Sequence, residues 1–198
     1  MQFDEEYWSI RYKQQRMGWD VGKVTTPIKE YIDQLEDKTL RILVPGCGSG
    51  YEVKYLYDKG FEHVKVIDLS PEPFKTLIPH CPNWEKEAFI IGDFFDHEGD
   101  YDLILEQTFF CSLIPGLRQA YADKMLKLLA PHGKLVGVLF NVNLGIDNPP
   151  FGGNKEQYLD FFKQGYKNIV FDNCYNSIPP RAGAELFIIL SKMSKLGH

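Results

Sequence analysis

The stretch that most limits how this chain can fold is Leu40-Arg41-Ile42-Leu43-Val44-Pro45-Gly46-Cys47-Gly48-Ser49-Gly50. Its apolar run, Leu40 to Val44, reads as a buried strand that Pro45 and Gly46 stop. Three glycines at alternate positions then leave the backbone open to a ligand, because a side chain would block close approach. Helical spacing follows at once over residues 51–59 and closes at Gly60. A strand, a glycine turn and a helix in that order open a doubly wound sheet, in which ligands lie beyond the carboxyl ends of the strands.

The rest of the chain repeats this grammar. Apolar runs at Val64–Asp68, Ala88–Ile91, Tyr101–Leu105, Lys134–Phe140, Asn168–Phe171 and Glu185–Leu190 read as further strands. Ser70 before Pro71 is a helix N-cap signal, Leu117–Leu129 is an amphipathic helix that ends before Pro131-His132-Gly133, and a helix starts near Lys155. A loop rich in Gly, Pro and Asn covers Asn141–Gly153. The expected fold is α/β: a Rossmann-like, mostly parallel seven-stranded sheet with helices on both faces, in one domain spanning residues 1–198. Residues 40–192 form its core. Residues 1–35 belong to no strand and carry Tyr7, Trp8, Tyr12 and Trp19, either as one stripe of a packed helix or as a lid over the ligand.

With 22 Lys and Arg against 27 Asp and Glu, net charge is −5, and no basic stripe follows a phosphate backbone. Nucleic acid and anionic membranes are therefore poor partners. Met1 to Glu6 hold no signal-peptide pattern, and no apolar run reaches membrane-spanning length. Cys47, Cys81, Cys111 and Cys174 are scattered, which predicts neither a disulfide framework nor a metal site. The expectation is a cytoplasmic monomer acting on a small molecule.

Spacing narrows the ligand of the glycine turn. A dinucleotide fingerprint wants Gly-x-Gly-x-x-Gly, and position 51 is Tyr. Gly46-x-Gly48-x-Gly50 is the tighter form used by S-adenosylmethionine (SAM) enzymes, whose cofactor has no pyrophosphate to seat. Asp68, ending the second strand, can accept from both ribose hydroxyls, as at NAD and SAM sites alike. Asp93-Phe94, after the third strand, offer an acceptor and a ring to an adenine.

The chain resembles the thiopurine S-methyltransferase superfamily, and within it the halide/thiol methyltransferases. The residues that carry the likeness begin with Trp8, Tyr12, Trp19-Asp20-x-Gly22 and Thr26-Pro27. Val44-Pro45 before the glycine turn, Ile67 to Ser70, Gly92 to Phe95, Phe109 to Cys111, Pro149 to Phe151 and Ile178 to Arg181 continue it. The resemblance implies a SAM-dependent methyltransferase of class I architecture. Its cofactor residues would be Trp8, Trp19, Gly46, Gly48, Gly50, Asp68, Leu69, Asp93, Phe94 and Glu106; Trp19, Gln107 and Tyr12 would face the reaction. Where the plant halide enzymes have a third Trp this chain has Tyr12, and where they have a Tyr at the substrate site it has Gln107.

The acceptor implied is a thiol, sulfide or halide, already nucleophilic, so that alignment and exclusion of water are the main demands. An aromatic heterocyclic thiol is the alternative within the superfamily. A SAM-binding module without catalysis is the alternative from another class.

Overall fold

The computed structural model describes residues 3–193. Among them seven strands form one sheet: β1 (Ile42–Pro45), β2 (Val64–Asp68), β3 (Phe89–Ile91), β4 (Tyr101–Gln107), β5 (Leu129–Phe140), β6 (Tyr166–Asn173) and β7 (Glu185–Lys192). Their spatial order is β3-β2-β1-β4-β5-β7-β6. The first five run parallel, and β7 pairs antiparallel with both β5 and β6, so the sheet is mixed at one edge.

Side chains alternate across β1 and divide the interior into two cores. Ile42 and Val44 join Val64, Val66, Leu103 and Leu105 on one face. That face is covered by α2 (Thr26–Asp33), α3 (Tyr51–Asp58) and α4 (Glu72–His80), through Ile28, Ile32, Val53, Leu56, Phe74 and Leu77. Leu43 joins Ile67, Ile104, Leu135, Leu186, Ile188 and Leu190 on the other. Two helices cover this second face: α5 (Arg118–Leu128) through Tyr121, Met125 and Leu128, and α6 (Lys155–Phe161) through Tyr158. Helices therefore lie on both faces.

Differences from the sequence reading sit at turn residues. Pro131-His132-Gly133 does not precede β5 but forms an irregularity within it. The register jumps from Tyr101 opposite Leu129 to Leu103 opposite Lys134, and His132 takes a left-handed φ of 67°. α4 starts at Glu72 rather than Pro71, and the Ser70 hydroxyl still accepts the Glu72 amide at 3.2 Å. The segment before the core divides in two. α1 (Glu5–Lys13) packs near the start of α4, whereas α2 buries Ile28 and Ile32 completely and belongs to the sheet's helical layer. Only the residues before α2 remain as a separate cover.

Candidate active site

β1, β2, β3 and β4 end on one side of the sheet, and their carboxyl ends surround a cavity of about 180 Å³. The turn after β1 supplies Gly46 and Gly48, the end of β2 supplies Asp68 and Leu69, and the turn after β3 supplies Gly92, Asp93, Phe94 and Phe95. Thr108 and Phe109 follow β4. Phe3, Trp8, Tyr12 and Trp19 close the cavity from the N-terminal segment.

The turn is shaped for close approach. Gly46 has φ +59°, and a Cβ there would lie 2.4 Å from the Phe109 ring. At Gly48 an added Cβ would come within 3.9 Å of the Trp19 indole nitrogen, so the bare backbone faces the cover. Asp68 is 8% exposed and accepts the Ser70 amide at 2.9 Å and the Cys47 thiol at 3.8 Å. Burial pushes its carboxyl up to about 6, against the backbone amides of Ser70, Gly48 and Cys47, which favour the ionised form. Asp93 is exposed at the rim, and one of its oxygens accepts the Phe95 amide at 2.8 Å. The buried Phe94 ring packs edge-on to Phe109, with centroids 5.1 Å apart.

The cover is held by specific contacts. Trp19 meets Trp8 and Tyr12 edge-on, at 5.7 and 6.3 Å between centroids. Asp20 accepts from the Ser49 hydroxyl of the glycine turn and from the Gly22 amide at 2.7 Å. Arg181 donates to the Trp19 carbonyl at 2.7 Å and pairs with Glu185 at 3.4 Å. The hydroxyls of Ser9 and Ser70 lie 2.7 Å apart, joining α1 to the start of α4.

Behind Trp19 lies a smaller compartment of about 30 Å³. It shares Trp19, Gly48 and Thr108 with the main cavity and adds Thr25, Glu52, Gln107 and Arg181. Gln107 accepts the Thr25 hydroxyl at 2.8 Å, and its buried Nε2 has no hydrogen-bond partner among the described residues. Exchanging the two amide atoms would leave the oxygen unmatched instead, so one polar atom lacks a partner either way.

Two expected cofactor contacts need correction. Glu106 does not line the cavity. It is fully buried and accepts from the amides of Phe109 and Phe110, at 2.8 and 3.0 Å, and from the Tyr121 hydroxyl at 2.6 Å. Gly50 stands behind the turn at φ +74°, where a Cβ would meet Leu77 at 2.7 Å, so its role is to admit α4. Gln107, expected to face the reaction, lines the adjoining compartment. Trp8, Tyr12, Trp19, Gly46, Gly48, Asp68, Leu69, Asp93 and Phe94 do line that cavity together.

Sequence reasoning missed Glu52 and Thr108. Glu52 shares the buried side of α3 with Val53 and Leu56, so an acid on an apolar helical face was its signal. Thr108 has φ +63°, which is unusual for a β-branched residue and has no sequence signature.

A glycine turn on β1, an acid ending β2 and the Asp93-Phe94 pair after β3 around one cavity fit a nucleoside with an attached amino acid. The fold and this cavity define a class I SAM-dependent methyltransferase. The family model for thiopurine S-methyltransferase matches residues 3–186, and the chain belongs to that family. It is 31% identical over 188 residues to a probable thiol methyltransferase 2 of Arabidopsis thaliana, covering 90% of this chain and 81% of that one. It is 27% identical to thiocyanate methyltransferase 1 of the same plant, covering 92% and 82%. Among solved structures, a Burkholderia thailandensis 1,6-didemethyltoxoflavin-N1-methyltransferase superposes with a TM-score of 0.73 at 16% identity, covering 96% of this chain and 87% of that one.

Proposed function

We propose that this chain methylates a small sulfur or halide nucleophile. Gly46, Gly48, Asp68, Leu69, Asp93 and Phe94 would hold the cofactor, under Trp8, Tyr12 and Trp19. When bound, SAM supplies an electrophilic methyl group on a sulfonium. The aromatic cover excludes water, which would solvate and blunt an anionic acceptor. A ring face near the positive sulfur adds about 0.5–2 kcal/mol of cation–π attraction.

The observation that carries this reading is the polar compartment sharing Trp19, Gly48 and Thr108 with the cofactor cavity. At about 30 Å³ against about 180 Å³ for the main cavity, it suits a small nucleophile beside the cofactor. The names of the plant relatives agree. A monomer is the working unit of this reading, and four free buried cysteines suit the reducing cytoplasm.

The test is to measure S-adenosylhomocysteine and methylated product with hydrosulfide, an alkyl thiol, thiocyanate, iodide and mercaptopurine. Small nucleophiles are expected to react well and mercaptopurine poorly, with Trp19→Ala losing most turnover. Preference for mercaptopurine would move the chain to the thiopurine branch. Tight SAM binding without product from any acceptor would make it a binding module.

A further inference from the structure

We infer that Glu52 takes the proton from a thiol acceptor. The inference rests on the small-nucleophile reading of the same site. Glu52 sits in the first turn of α3, directly after the glycine turn, and is 7% exposed. It lines the compartment with Thr25, Gln107, Thr108 and Arg181. The unmatched Gln107 amide and the Arg181 guanidinium suit a thiolate there, but a thiol enters carrying a proton, and the thiolate is the nucleophile.

The other titratable or charged groups facing Glu52 are poor acceptors. Asp20 is engaged by Ser49, Tyr51 and Gly22. Lys23 and Arg181 are cations, and Arg181 already pairs with Glu185. The Tyr51 hydroxyl donates to Asp20, and burial holds the Cys47 thiol protonated. Glu52 meets backbone amides, its own and that of Thr25, and no side-chain donor is hydrogen-bonded to it among the described residues. Burial pushes its carboxyl up to about 7, with Arg181 acting the other way, which suits proton exchange at neutral pH.

In the step, the S–H bond breaks, its proton passes to a Glu52 oxygen and its electron pair stays on sulfur. That pair forms the new C–S bond, while the pair of the old C–S bond stays on the departing sulfur. A thioether, S-adenosylhomocysteine and protonated Glu52 result, and the proton returns to water when the site opens.

The test compares the full chain and Glu52→Gln on an alkyl thiol and on thiocyanate, which is anionic without losing a proton. For a thiol of pKa about 8.5, the thiol-to-thiocyanate ratio of kcat/KM should fall about 30-fold at pH 7, the ratio of thiol to thiolate. The deficit should close above the thiol pKa. A readout without turnover is ultraviolet thiolate absorbance when the thiol binds the S-adenosylhomocysteine complex, expected in the native chain and lost in Glu52→Gln. Equal loss for both acceptors, or thiolate absorbance retained in the variant, overturns the inference. If the native chain methylates neither acceptor, the functional reading fails and the absorbance alone decides Glu52. Should Glu52→Gln not fold, the native pH profile decides: an acidic limb near 7 for the thiol alone supports the role, and the same limb for both acceptors overturns it.

Discussion

The floor of the cavity and its cover are built by different physics. The floor is backbone at the ends of buried parallel strands, and Gly46 is fixed there by its amide donating to the Ile67 carbonyl at 2.8 Å. The cover is a short helix and a loop joined to that body by side-chain contacts: Ser9 with Ser70, Asp20 with Ser49, Arg181 with the Trp19 carbonyl. Changes in the floor should therefore disturb binding and folding together. Changes in the cover should loosen one segment and spare the rest.

The largest effect is expected from Gly46→Ala. Its left-handed φ costs a non-glycine residue about 1–2 kcal/mol, and the new methyl would drive Phe109 from its place. Phe109 packs on Phe94, so the displaced ring should intrude where adenine is proposed to lie. Calorimetry should find S-adenosylhomocysteine affinity about 100-fold weaker, roughly 3 kcal/mol, with a lower melting temperature. Affinity within about threefold of the native chain would mean that the floor is not rigid.

The same contrast explains what could be read in the sequence. Gly46, Gly48, Asp68 and Asp93 lie at strand ends or within a few residues of them, so local pattern located them. The cover and the compartment depend on contacts between distant segments: 82 residues separate Thr25 from Gln107, and 162 separate Trp19 from Arg181. Glu106, which the resemblance implied as a cofactor residue, is instead engaged inside the fold. Side chains alternate along β4, so Glu106 and its neighbour Gln107 face different surroundings, and Tyr121 from α5 engages the acid.

A second test separates the floor by pH. In the proposed cofactor site Asp68, pushed up to about 6 by burial, accepts two ribose hydroxyls best when ionised. Cofactor affinity should rise as pH passes upward through about 6 and level off above it, with up to about a tenfold change per unit below. Stability of the free chain has the opposite sign. A carboxyl raised above its unfolded value of 3.8 favours the fold below that value, and this contribution is lost as pH rises through about 6. Calorimetric affinity that is flat between about pH 5 and 7 would remove Asp68 from the ribose.

The smallest effect belongs to the cover. Ser9 and Ser70 are buried, and the Ser9 hydroxyl donates to Glu5 at 2.9 Å, so Ser70 is the donor to Ser9. Ser9→Ala leaves the Ser70 hydroxyl without that acceptor, at a cost of about 1 kcal/mol. Because α1 is otherwise attached by few contacts, the loss should stay local. Amide hydrogen exchange in residues 5–13 should quicken about fivefold, while the strands β1 and β2 keep their protection. Exchange that quickens equally in β1 would show that cover and floor open as one unit, and the distinction between them would fail.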